Sequence, residues 1–174
     1  MNSAEIRRTN LLRLLQEHGA PLTGSALARM LGVTRQVIVQ DIALIRADNH
    51  NILSTNKGYI YRTDGEKISQ PMRVIYVRHT TEQVLDEFLT VLELGGTVLD
   101  VAVEHEIYGQ IRVDLLIETE QDARDFVDRL AHCKDNPLKV LTDDCHYHTI
   151  AAPSEKLLDL IEDALKSKGM MAEN

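Results

Sequence analysis

The sequence predicts an α+β protein in two parts: three helices and a hairpin over residues 1–64, then an α/β sandwich over residues 72–174. A linker is expected at 65–71, where Gly65 to Pro71 is polar and turn-rich. Three observations predict this division. Apolar residues recur at helical spacing through the first part, whereas from residue 72 helical stretches alternate with short strand-like runs. Turn residues separate the two regimes. The charge changes at the same place: residues 1–73 hold ten Lys/Arg against six Asp/Glu, a net of +4, and the remainder holds nine against 21, a net of −12. Such a split predicts a basic binding module joined to an acidic domain with a different task.

In the first part, Ile6, Leu11, Leu14 and Leu15 form a helical stripe over residues 4–18, ended by Gly19-Ala20-Pro21. A second helix spans about Thr23 to Leu31, with Leu27, Met30 and Leu31 facing in. Gly32-Val33 turns the chain, and Thr34 is placed to cap a third helix running to about Ala47. Ile38, Ile42 and Ile45 face inward there. Gln36, Gln40 and Ala43 face away, flanked by Arg35, Val39 and Arg46. Two strand-like pieces, 52–55 and 59–62, are joined by Asn56-Lys57-Gly58 into a hairpin with a basic tip. Two helices around a Gly-containing turn, followed by such a wing, give the winged helix-turn-helix layout, whose second helix enters the major groove.

Arg35, Gln36 and Gln40 have the fork and amide chemistry that reads purine edges, Lys57 suits a phosphate, and Thr34 suits a cap and phosphate contact. The alternative is a protein-interaction module. The basic charge and the exposed Arg-Gln face favour double-stranded DNA. The segment Leu27-Ala28-Arg29-Met30-Leu31-Gly32-Val33-Thr34-Arg35-Gln36 and onward to Ile42 resembles the winged-helix repressor family that also fronts bifunctional biotin ligases. That resemblance covers about residues 5–62 and leaves any effector open.

In the second part, Met72–Val77 reads as a strand, and Thr80 with Gln83 offers a capping box for a helix to Leu94, stopped by Gly95-Gly96. Val98–Val103 and Gln110–Ile117 read as strands around a turn at Glu106-Ile107-Tyr108-Gly109. A helix follows over Glu120–Cys133, with Phe126, Val127 and Leu130 inward. Leu138–Leu141 and His146–Ala151 read as strands, and an amphipathic helix runs from Ser154 to about Ser167. The order β-α-β-β-α-β-β-α suits a sheet with helices on one face.

The chemistry centres on Asp144-Cys145-His146-Tyr147-His148-Thr149-Ile150. On a strand, His146 and His148 project on one face, either as half of a transition-metal site or as two surface histidines. His79 closes the first strand. Glu87 sits on the edge of the next helix's apolar stripe, beside Val84 and Val91. If the strand of His146 and His148 lies beside the first strand, one pocket collects His79, Glu87, His146 and His148. Three imidazoles and a carboxylate suit one divalent transition-metal ion per subunit, Ni, Zn, Co or Fe(II), with a position left for water or a ligand. Cys145 points to the opposite face and Cys133 ends a helix, so both read as packed. His18, His50 and His132 lie near helix ends and read as solvated.

His79-Thr80-Thr81, the run Asp100 to Gly109, and Leu141-Thr142 followed by His146-Tyr147-His148-Thr149-Ile150 look like the 3H domain, named for its histidines. Joined to a winged helix, the chain resembles the niacin-responsive transcriptional repressors of bacterial NAD biosynthesis and niacin-uptake genes. The resemblance covers nearly the whole chain. It implies metal ligation by His79, Glu87, His146 and His148, with nicotinic acid as co-repressor. His105 belongs to the family pattern, and its turn location permits either a contact in an effector pocket, the reading adopted, or a simple cap of its own turn. Tyr108-Gly109 is placed to close over a small ligand, although a tight turn explains it equally well. Asp143-Asp144-Cys145 depart from the expected glycine and apolar residue before the His-x-His, and acids facing the pocket would discourage an anionic effector.

The resulting expectation is a homodimeric repressor on a roughly palindromic operator, with no catalytic residues. A metal-sensing repressor is one alternative. Another is a metalloenzyme with a DNA-binding head, for which Glu104 is the best remaining base. No apolar run approaches the ~20 residues of a membrane span. The N-terminus lacks a secretory build, and two unpaired cysteines suit a reducing cytoplasm.

Overall fold

The computed structural model describes residues 3–63 and 70–173. The chain divides into two units, Met1–Lys67 and Ile68–Asn174. Of the linker expected at 65–71, residues 65–69 lie outside the described residues.

In the first unit, helix α1 (Ser3–His18) buries Leu11 and Leu15. Helix α2 (Gly24–Leu31) starts where the Thr23 side chain accepts the Ala26 N–H, and it ends at Gly32, whose φ of 66° is left-handed. Helix α3 (Arg35–Ala47) is capped by Thr34, whose hydroxyl accepts the Val37 N–H at 3.3 Å. Its inward residues Ile38, Ile42 and Ile45 close a core with Leu11, Leu15, Leu27, Ala28 and Ile52. Asp41 is buried on α3 and held from α1 by the Arg7 guanidinium at 2.6 and 3.2 Å.

Two expected inward residues are corrected. Met30 is 55% exposed, because the eight-residue α2 turns Gly24, Leu27 and Ala28 inward and Met30 falls off that stripe. Ile6 is 48% exposed, one turn before the buried face of α1 begins.

Strands β1 (Ile52–Thr55) and β2 (Gly58–Tyr61) form the antiparallel wing. Tyr59 bonds in both directions to Leu22, at 2.8 and 2.9 Å, which fixes the wing to the α1–α2 loop. Gly58 makes this approach possible: its φ is 129°, and a Cβ there would collide with the Leu22 carbonyl.

The second unit has strands β3 (Met72–Arg78), β4 (Thr97–His105), β5 (Gly109–Ile117) and β6 (Cys145–Ala151). They pair antiparallel in the order β5-β4-β6-β3. Helices α4 (Val84–Glu93), α5 (Glu120–His132) and α6 (Glu155–Ser167) cover one face. Phe88, Val91, Ala123, Leu158, Ile161 and Leu165 from the helices join Ile75, Val77, Val98, Ile117 and Ile150 from the sheet in one core. This is the expected α+β class.

One element differs. Leu138–Leu141 is not a strand but the start of a 3-10 segment, Leu138–Thr142. Pro137 fixes its entry, Lys139 turns inward, and Val140 and Leu141 face solvent, so the apolar residues of the run are not those the fold buries. The order is therefore β-α-β-β-α-β-α. Among the described residues no helix is long and apolar enough to cross a membrane.

Candidate metal centre

Strand β6 pairs His146 with Val77 and His148 with Ile75 of β3, and its alternation turns both imidazoles toward the helices. His79 follows the last residue of β3, just before the 3-10 turn Thr81–Gln83 that leads into α4. Glu87 lies in the first turn of α4, beside the core residue Phe88. All four side chains are buried, at 4% exposure or less. One ligand atom from each lies within 4.8 Å of every other. His79 Nε2 is 2.8 Å and His148 Nε2 3.4 Å from the Glu87 oxygens. The His146 ring stands 4.8 Å, centroid to centroid, from each of the other two.

The outer nitrogens decide the chemistry. His79 Nδ1 meets the Thr80 carbonyl at 2.8 Å, His146 Nδ1 the Asp144 carbonyl at 3.0 Å, and His148 Nδ1 the Asp100 carbonyl at 2.5 Å. A carbonyl only accepts, so each Nδ1 carries a proton and each ring turns its Nε2 inward. Both Glu87 oxygens and His79 Nε2 are buried without a hydrogen-bond partner. Buried polar atoms left without partners are costly. A cation removes that cost, and the donor set is of the kind divalent transition metals take. The residues therefore form a buried His/Glu group able to hold a metal ion.

The ionisation tendencies of His146 and His148 differ. Burial, with His148 adding to it, pushes the His146 imidazolium down to about 3, so this ring stays neutral. Burial would raise the Glu87 carboxyl, but His148 and His79 outweigh it and hold it below the usual carboxylate range. Burial opposes charge on His148 as well, yet Glu87 outweighs it and the ring is held above its ordinary value.

The acids before the His-x-His do not add free charge to this pocket. The Asp144 carboxylate meets the buried Lys139 ammonium at 2.5 Å and is held below its ordinary value by it. Asp143 is exposed and lines a separate cavity of about 300 Å³ with Tyr76, Thr142, Cys145 and Tyr147. Cys145 thus points away from the cluster, as the strand alternation predicts. His105 and Tyr108 lie outside the four-residue group, at the β4–β5 turn. There His105 Nδ1 accepts the Ile107 and Tyr108 N–H groups at 3.2 and 3.3 Å, the opposite tautomer to the clustered histidines.

Two residues around the centre escape the sequence reading. Asp100 is buried, accepts the Thr149 N–H at 2.8 Å and pairs with Arg112 at 2.5 Å, so the carbonyl that orients His148 is itself fixed. A carboxylate inside the apolar run Val98 to Val103 was the available signal. Lys139 had none, because the carbonyl that draws it inward, that of His79, lies 60 residues away in sequence.

In the first unit Thr34, Arg35, Gln36 and Gln40 are exposed together on the first half of α3, and Lys57 is half-buried at the wing turn. Arg46 is not part of that face. Its guanidinium donates to the Ile52 carbonyl and to Ser54 Oγ, each at 2.7 Å, and so joins α3 to β1.

Residues 72–174 match the 3H domain, and residues 7–60 match an HTH domain. Among relatives, the probable transcription repressor NiaR of Thermotoga maritima is 38% identical over 167 residues, covering 96% of this chain and 94% of its own. The transcription repressor NadR of Bacillus subtilis is 36% identical over 166 residues, covering 95% and 92%. Both are named as repressors and neither as an enzyme. An HTH head, a 3H domain over most of the chain and relatives matched nearly end to end place this protein in the 3H-domain family of HTH transcription repressors.

Proposed function

We propose that the protein is a DNA-binding transcriptional repressor of NAD biosynthesis and niacin-uptake genes. In this reading its 3H domain holds one divalent transition-metal ion per subunit, and nicotinic acid is the co-repressor. The observation that carries the regulatory half is the convergence of three Nε2 atoms and the Glu87 carboxylate in one buried place. The repressor half is supported by the HTH match and by the relatives' names. His79, Glu87, His146 and His148 would hold the ion, and Ni, Zn, Co and Fe(II) all suit such a set. A bound ion supplies a Lewis-acid point for the carboxylate or ring nitrogen of a small effector. His105 and Tyr108 are the effector contacts proposed at the β4–β5 turn.

On DNA, Arg35, Gln36 and Gln40 read base edges, while Thr34 and Lys57 contact phosphates. A homodimer in the cytoplasm presents two such helices to a two-fold operator. Nicotinic acid acts as a co-repressor only if it binds the DNA-competent arrangement more tightly than the other.

The test is a gel-shift titration of operator DNA with metal and nicotinate varied separately. Nicotinate is expected to tighten DNA binding of the metal-loaded protein by about 5- to 150-fold, the usual span of allosteric coupling. Chelation should abolish the effect. DNA binding that ignores nicotinate at every metal level overturns the niacin assignment. Metal alone switching DNA binding supports a metal sensor instead, a reading favoured by the burial of all four donors.

A further inference from the structure

We propose that Lys139 is a positioning residue of the metal centre, one buried ammonium that ties together the chain segments carrying His79 and His146. The inference rests on the metal reading above and deepens it. Lysine is seldom buried without a partner, and this side chain is only 5% exposed. Its Nζ donates to the His79 carbonyl at 2.8 Å, across 60 residues of sequence, and to the Asp144 carboxylate at 2.5 Å. Asp144 is the residue whose own carbonyl accepts His146 Nδ1–H. One side chain therefore fixes the main chain of one ligand and the orienting group of another.

The backbone around Asp144 shows why a clip is needed. Asp143 and Asp144 adopt φ of 52° and 66°, two consecutive left-handed residues without a glycine. This conformation aims the Asp144 carbonyl at His146. It is held from three sides: the Asp144 N–H donates to the Lys139 carbonyl at 2.9 Å, the Lys139 ammonium holds the Asp144 carboxylate, and the Thr142 hydroxyl donates to the Cys145 carbonyl. Charge-assisted bonds in a buried place are strong and directional. Removing the ammonium leaves His79 without its main-chain anchor and lets the Asp144 carbonyl turn away. A lysine that served only to hold the 3-10 segment would affect melting and not the metal.

The experiment uses full-length Lys139→Met and Asp144→Ala, with Asp143→Asn as a neighbouring control. Three quantities are read: Ni²⁺ affinity by chelator competition, the Co²⁺ d–d absorption spectrum, and Tm without metal. Lys139→Met is expected to weaken Ni²⁺ binding by about 10- to 100-fold, the range found for groups that orient metal ligands, and to shift the Co²⁺ bands. Asp144→Ala should do the same, and the double variant should lose no more than the larger single loss, since both remove one clip. Asp143→Asn should match the wild type.

A folded Lys139→Met protein with wild-type Co²⁺ bands and Ni²⁺ affinity within about twofold of wild type overturns the proposal, whatever its Tm. Should that variant not fold, Asp144→Ala decides on the same thresholds, its side chain being 41% exposed. Wild type that binds no ion, or binds equally after His146→Ala, overturns the metal reading and this proposal with it. Wild type that binds while Lys139→Met binds equally overturns this proposal alone.

Discussion

At the scale of single residues, the centre works through which nitrogen holds the proton. His79, His146 and His148 each give Nδ1–H to a carbonyl, whereas His105 receives two N–H groups at Nδ1. Sequence alternation told which rings share a face, but not which nitrogen faces inward, because the deciding carbonyls belong to Thr80, Asp100 and Asp144 on three separate segments. A pH prediction follows from the same geometry. Burial opposes a proton on His148, but Glu87 outweighs it and the folded value lies above 6.5. A raised folded value means that this pair stabilises the metal-free protein fully below about pH 6.5 and that its contribution fades as pH rises through the folded value. Metal must displace that proton, so metal affinity should climb with pH through the same window and level off above it. Calorimetry in buffers of different ionisation heat will show proton release on binding that shrinks with rising pH. Glu87→Gln should lower metal affinity by about tenfold or more and flatten this dependence, since a neutral amide no longer raises His148. An unchanged slope in that variant would sink the assignment of the proton to this pair.

At the scale of elements, the legible parts were those with a strong period or a cap. The β6 alternation, the Thr34 cap of α3 and the hairpin turning at Asn56-Lys57-Gly58 could all be read from spacing. The segment Leu138–Thr142 could not. A run Leu-Lys-Val-Leu carries no helical period, and the force that turns Lys139 inward is a carbonyl 60 residues away. Met30 and Ile6 failed for a related reason: a short or terminal helix has apolar residues that outnumber its buried positions. The wing offers a clean test of element-level constraint. Gly58→Ala places a Cβ against the Leu22 carbonyl at φ 129°, a conformation costing of order 1–3 kcal/mol for a non-glycine residue. Urea unfolding should show a loss of about that size in the transition of the first unit. Metal binding by the second unit should stay at the wild-type value, and a shared loss would show that the two units unfold as one.

At the scale of the whole molecule, net charge misleads unless it is divided. A chain of −8 reads as a poor DNA ligand, yet its first 73 residues carry +4 and the acids are concentrated elsewhere. Phosphate contacts act over roughly a Debye length, ~8 Å at physiological salt, so charges close to the phosphates count for more than the net charge of the chain. Binding should therefore be detectable despite the overall sign and should weaken steeply with salt. The two kinds of contact separate by how they fail. Lys57→Ala, which on the proposed reading removes a phosphate contact at the wing, should reduce affinity about equally for operator and unrelated DNA and lower the salt slope by about one. Arg35→Ala, which on the same reading removes a base contact on α3, should cost about 1–3 kcal/mol on the operator, little on unrelated DNA, and leave the slope nearer its wild-type value. Fluorescence anisotropy across a salt series measures both. If Arg35→Ala lowers the slope and spares operator preference, Arg35 is a phosphate contact and sequence reading falls to Gln36 and Gln40, the other exposed residues on that half of α3.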